Sequence, residues 1–255
     1  MKLPVIAGVI DRRILVNYRV DPDMLARTLP APFRPKLVRG VGLAGICLIR
    51  LRGVRPRGLP AWLGIASENA AHRTAVEWEV DGHTREGVFV RRRDTDSRLN
   101  ALAGGRVFPG VHHHGRFDVA ESAEQLRVAY DSDDGAVSME VDARVSDRLP
   151  VASVFASLDE ASAFFQAGSI GYSVTEKEGC FQGLELCCPV WQMTSLEIVS
   201  MRSSFFADES IFPRDAVEID SAFLMRQVAH EWHARADLLA PRSESAERAA
   251  ALPIA

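Results

Sequence analysis

Alternation with a period of two dominates the chain. Between residues 137 and 145 the apolar Val137, Met139, Val141, Ala143 and Val145 alternate with Ser138, Glu140, Asp142 and Arg144. That pattern predicts a strand with one buried face. Leu126, Val128 and Tyr130 alternate likewise, and Ser132-Asp133-Asp134-Gly135 between the two runs has hairpin-turn chemistry. Val76, Trp78 and Val80 form another such face, followed by an Asp81-Gly82 turn and a strand over residues 87–91. Further strands are predicted over residues 3–10, 14–20, 41–51, 194–206 and 216–225.

Helices are few and short. Asp21 caps one that runs to about Thr28, with Pro22 preset at its first position. Residues 96–103 form a second, stopped by Gly104-Gly105. Ser157-Leu158-Asp159-Glu160 is a capping box that opens a third, closed by Gly168. Many strands in hairpin sequence with short helical insertions predict a mainly β (α+β) chain. The expected architecture is an antiparallel β-barrel with a few short peripheral helices. One domain is expected over residues 1–240, with a flexible tail over 241–255.

Composition narrows the function classes. Of the 255 residues 47% are hydrophobic and 25% charged, which excludes disorder. The net charge is -4 with no long run of one sign, so no broad basic face for nucleic acid is expected. Arg91-Arg92-Arg93 reads as a solvated strand edge. The apolar start is too short to span a membrane and lacks a cleavage site, and Cys47, Cys180, Cys187 and Cys188 have no zinc-type spacing. A cytoplasmic protein with reduced thiols, without metal or cofactor and without membrane contact, is the expectation. Lysine is confined to Lys2, Lys36 and Lys177 among 30 basic residues, so few positions can supply a nucleophilic amine. A homodimer is expected from base rates alone.

Some of these segments carry a resemblance. They are Ser67-Glu68-Asn69, the Asp81-Gly82 hairpin, Asn100-Ala101-Leu102-Ala103-Gly104-Gly105-Arg106 and Gly110-Val111-His112-His113-His114. With Asp21-Pro22 through Leu29-Pro30 and Ser203-Ser204-Phe205-Phe206, they are similar to the YqjF-like family of uncharacterised conserved bacterial proteins. That family lies within the acetoacetate decarboxylase-like superfamily, and the resemblance spans residues 10 to 235. It implies a β-barrel around a small-molecule cavity. True decarboxylases of this superfamily carry a Gly-Phe-Pro-Lys-Lys segment whose amine forms a Schiff base with a β-keto acid. Aligned on it, His113 and His114 stand at the two lysine positions, and Glu68 matches an acidic residue of the earlier strand. An imidazole cannot form the iminium, so the inherited covalent reaction is not expected.

Parity addresses which histidine points inward. If the strand after His112 is extended, His113, Gly115, Phe117 and Val119 share the apolar, inner face, while His112 and His114 share the outer one. Glu68, His72, Val76, Trp78 and Val80 have one parity in the earlier strand. His113 and Glu68 are therefore the candidate catalytic pair, and His72, Arg106, Phe117 and Trp78 the candidate ligand contacts. Asn69, Arg73 and Arg106 suit an anionic ligand. A metal site on His112 and His114 would lack further ligands. His230-Glu231-Trp232-His233 is not a zincin motif, and Trp232 is expected to cover the end of the barrel.

Three readings are open. The first is a barrel that binds a small organic, anionic ligand without covalent amine chemistry. The second is an acid/base enzyme using His113 and Glu68 on a carbonyl or ester. The third is an interaction module whose cavity is filled by its own side chains.

Overall fold

The computed structural model describes residues 4–103 and 110–241. The first part of the chain comprises β1 (Ile6–Val20), α1 (Pro22–Arg27), β2 (Arg34–Pro35), β3 (Leu37–Val38), β4 (Val41–Pro56), β5 (Ile65–Val80), β6 (His83–Thr95) and α2 (Arg98–Ala103). It continues as β7 (His112–Glu121), β8 (Gln125–Ser132), β9 (Ser138–Ser146), α3 (Leu158–Ala167), β10 (Ile170–Val174), β11 (Cys180–Cys187), β12 (Thr194–Ser203) and β13 (Val217–Leu239). Among the described residues no helix is long and apolar enough to cross a membrane.

Local chemistry explains the predicted elements that are present. The Asp21 carboxylate accepts from the amides of Asp23 and Met24 at the start of α1. The Ser157 hydroxyl accepts from the Glu160 amide to open α3, and Glu160 reaches back to the Ala156 amide. Asp81 and Gly82 both take positive φ values, 51° and 74°, in the tight turn between β5 and β6. The strands expected over 3–10 and 14–20 are one continuous strand, and the one expected over 216–225 is the first half of the 23-residue β13.

All thirteen strands join one sheet, and its pairings close it twice. Pairing of β5 with β6 completes a ring through β7, β8, β9, β12, β13, β1 and β4. Pairing of β11 with β13 completes a second ring, in which β10 and β11 replace β7, β8, β9 and β12. The two rings share a wall of β13, β1, β4, β5 and β6. The sheet is mixed, which corrects the antiparallel expectation: β6 runs parallel to both β7 and β10. The chain leaves β6 through α2 before β7, and reaches β10 from α3. Such excursions let a strand return in the same direction, which a tight hairpin cannot do.

Each side of the shared wall faces a separate apolar cluster. Ile14, Val16, Ala44, Ile46, Leu48, Ala222 and Leu224 pack into the larger ring. Their sequence neighbours Leu15, Leu43, Cys47, Ile49, Phe223 and Met225 pack on the opposite side with Phe155 and Phe165 of the α3 region. Burial of both faces explains why eight consecutive residues of β4 are buried rather than every second one. A β-bulge interrupts the ladder between β5 and β6. Arg73 pairs with Val90 while His72 pairs with Arg92, so Arg91 is an extra residue in β6. Val90 and Arg93, three apart, thereby come to the same face.

Close approach within the wall demands glycine at Gly45, where a Cβ would lie 2.1 Å from the Val16 carbonyl oxygen. The variant Gly45→Ala is expected to lose about 3 kcal/mol of stability through this overlap, read by urea unfolding. An unchanged midpoint would show that the two strands can separate freely at this point.

Candidate functional site

The smaller ring contains a cavity of about 120 Å³, lined in part by Arg13, Cys47, Asn69, Arg73, Arg93 and Trp232. A hollow of about 60 Å³ adjoins it, sharing Asn69, Arg93 and Trp232 and adding His112 and Asn100. Strand register sets out the wall. Arg13 on β1 lies beside Ile49 on β4 and Asn69 on β5, and the next row runs Leu15, Cys47, Ala71, Arg93. The third row runs Asn17, Gly45, Arg73, Val90. Leu184 and Leu186 of β11, Trp232 of β13 and Phe165 of α3 face this wall across the cavity.

The charged lining of the cavity is cationic, and among the described residues the one carboxylate nearby, Asp94 of the adjoining hollow, is already clamped by Arg92. Arg73 is buried, stacks on Phe165 at 5.0 Å and donates to Asn17 Oδ1 at 2.6 Å, while its Nε has no hydrogen-bond partner. Arg93 donates to the Ser173 hydroxyl at 3.0 Å. Arg13 lies over Trp191 and meets only the sulfurs of Cys47 and Met225, at 3.4 and 3.8 Å. Among the described residues none of the three is ion-paired to a carboxylate. Burial pulls the pKa of Arg73 and of Arg93 down to about 10, which leaves both protonated at neutral pH. Desolvation, with Arg93 nearby, pushes His112 down to about 4, so its imidazole is neutral. Its Nδ1 lies 3.1 Å from the Gly110 carbonyl, which can only accept, so Nδ1 carries the proton and Nε2 the lone pair.

The candidates named from sequence are dispersed. Glu68 is in the larger ring, held between Arg12 and Arg50 at 2.5 Å each, with Arg12 fully buried. His113 is 37% exposed and pairs with Asp134 at 3.1 Å. The register sets Asp94 of β6 between His113 and β5, so His113 and Glu68 are not in contact. His72 is buried against Phe205 and Phe206, and Phe117 stacks on Tyr130, both in the larger ring. Trp78 belongs to a third cluster with Phe33 and Tyr172. Arg106 lies outside the described residues.

Two expectations are corrected. His112 lines the smaller cavity instead of facing solvent, because the face of β7 away from Phe117 borders the second ring at its first residue. The three arginines at 91–93 are not a uniform solvated edge either. Arg91 is exposed, Arg92 clamps Asp94 and Asp134 at 2.8 and 2.9 Å, and Arg93 enters the cavity. Asn69 and Arg73, named as anion contacts, do line it. Arg13, Cys47, Arg93 and His112 line the cavity and are residues that the sequence reading misses as ligand contacts. Among the described residues no cluster able to hold a metal ion is present. The larger surface hollows carry charges that are already paired, as with Arg127 between Asp118 and Glu140.

Residues 10–227 match the model of DUF2071, described as an uncharacterized conserved protein. The chain belongs to the DUF2071 family. No curated protein matches it. Among solved structures it resembles acetoacetate decarboxylase from Legionella pneumophila at a TM-score of 0.61 and 13% identity, covering 92% of this chain and 88% of that one. It also resembles an acetoacetate decarboxylase-like enzyme from Sphingomonas wittichii RW1, with a TM-score of 0.58, 13% identity and 94% coverage of both chains. A third neighbour is the enduracididine biosynthesis enzyme MppR complexed with pyruvate, with a TM-score of 0.54, 15% identity and coverage of 94% and 91%. At these identities the likeness is one of fold.

Burial gives His72 a pH signature. Neither ring nitrogen has a hydrogen-bond partner, and burial lowers its pKa to about 3. An unfolded chain binds a proton there that the folded chain refuses, so stability is greatest above pH 6.5 and falls as pH drops through the window down to 3. The variant His72→Phe is expected to lose about 2 kcal/mol less than the wild type between pH 7 and pH 5, measured by denaturant unfolding at each pH. An equal loss in both would mean that the ring takes up its proton without unfolding.

Proposed function

We propose that this chain binds a small organic carboxylate in the cavity bounded by Arg13, Arg73 and Arg93, without covalent amine chemistry. The carrying observation is that three guanidinium groups face one cavity and no carboxylate of the described chain neutralises them. A desolvated cation without a partner is costly, and a bound anion removes that cost. Arginine's planar fork suits a carboxylate in particular. The apolar remainder of the lining, with Leu184, Leu186 and Trp232, fits a short carbon skeleton. Support also comes from the fold. The neighbour MppR is complexed with pyruvate, itself a small carboxylate, in a fold that we read here as an acetoacetate decarboxylase-like barrel.

Among the described residues the amine of a Schiff base has no candidate at this cavity. Lys36 pairs with Glu86 and lies over Phe164, and Lys177 is exposed in the turn before β11. Placement of His113 and Glu68, each engaged by its own charged partner, does not favour the acid/base pair. A polar-lined hollow weighs against a module filled by its own side chains. The four free cysteines suit the reducing cytoplasm that we assign to it.

Titration calorimetry with acetate, pyruvate and acetoacetate is expected to show binding that weakens at least about tenfold in Arg73→Gln and in Arg13→Gln. Borohydride added to the keto-acid complexes is expected to leave the protein mass unchanged. Undiminished affinity in both variants would remove the carboxylate assignment, and a trapped adduct would restore amine catalysis.

A further inference from the structure

We infer that the cavity's ligand is a dicarboxylate of about three to five carbons, an inference that rests on the carboxylate reading above. Charge and placement both lead to it. A monocarboxylate neutralises one guanidinium and leaves two cations without a partner in a cavity whose only other titratable lining groups among the described residues are a neutral His112 and the Cys47 thiol, with Asp94 already clamped by Arg92.

The cations are also spread across the wall. Arg13 and Arg93 stand on β1 and β6, with β4 and β5 between them, three strand spacings or about 14 Å along the curved sheet. Arg73 stands on β5, two strands from Arg13 and one from Arg93, and its Nε is without a partner. One acid group therefore falls to Arg13 and the second to Arg93 with the Ser173 hydroxyl beside it, with Arg73 on a strand between the two. Asn69, Cys47 and Ala71 lie between the two ends and meet the connecting carbons. A volume of about 120 Å³ has room for a short chain of this kind. Inorganic phosphate carries a comparable charge in a compact form, which can satisfy one end of the cavity and not both.

The test compares acids of equal length in the wild-type chain and in Arg93→Gln. Calorimetric affinities are measured for propionate against malonate, butyrate against succinate, and inorganic phosphate. At least one diacid is expected to bind about thirtyfold or more tightly than its monoacid, and phosphate more weakly than that diacid. In Arg93→Gln the diacid is expected to lose at least about tenfold while the monoacid stays within about threefold. Arg214→Gln, exposed, paired with Glu209 and outside the cavity lining, serves as a charge-matched control and is expected to change neither. Equal affinity for monoacids and diacids overturns the dicarboxylate inference and leaves the carboxylate reading standing. Phosphate binding more tightly than every diacid overturns it in favour of a compact oxyanion. If none of the acids binds, both readings fall.

Discussion

The shared wall of β13, β1, β4, β5 and β6 is buried on both faces, and the organisation of the molecule derives from that constraint. In a sheet with one wet face, every second residue is free to be polar. Here the middle residues of the wall belong to one of two interiors, so a polar side chain there must find a partner inside the protein. The larger ring meets this demand with ion pairs, Arg12 and Arg50 around Glu68 and Arg92 around Asp94. The smaller ring meets it only in part. Its arginines lean on aromatic rings, amide and hydroxyl oxygens and sulfur, and their charge is left open.

That contrast separates charge that is paired within the fold from charge that is not, without reference to any relative. A carboxylate between two guanidiniums is a closed unit whose removal would strand the remaining ions. A guanidinium stacked on Phe165 and hydrogen-bonded to a neutral amide keeps its full charge in a place where solvent cannot easily screen it. The first arrangement holds strands together, and the second holds a potential. Fold neighbours that work on small acids occupy the same architecture, yet the residues that create the potential here are read from this chain's own geometry.

Legibility in the sequence obeys the same division. Strands with one solvent face, such as β8 and β9, announce themselves by alternation, and caps and turns at Asp21, Ser157 and Asp81-Gly82 declare their chemistry locally. β10 is only five residues long and β11 lacks a clean alternation, and without them the second interior is invisible. The apolar face of β7 then reads as the only inner one. Phe117 and Val119 mark the filled compartment, however, and a hollow of about 60 Å³ borders the opposite face at His112. Hydrophobic pattern finds what is packed; it is silent about a compartment that is deliberately polar. Arg93 is hidden for a further reason, since the bulge at Arg91 reverses the parity that its neighbours imply.

That extra residue also governs how such a protein can change over generations. Loss of one codon at position 91 would restore a regular ladder without turning any neighbour over, because Val90 would stay opposite Arg73 and Arg93 opposite Ala71. The bulge is thus a spare position at which β6 can lose a residue while each side chain keeps its own chamber. A one-residue slip elsewhere along the strand would instead move every side chain beyond it to the other face.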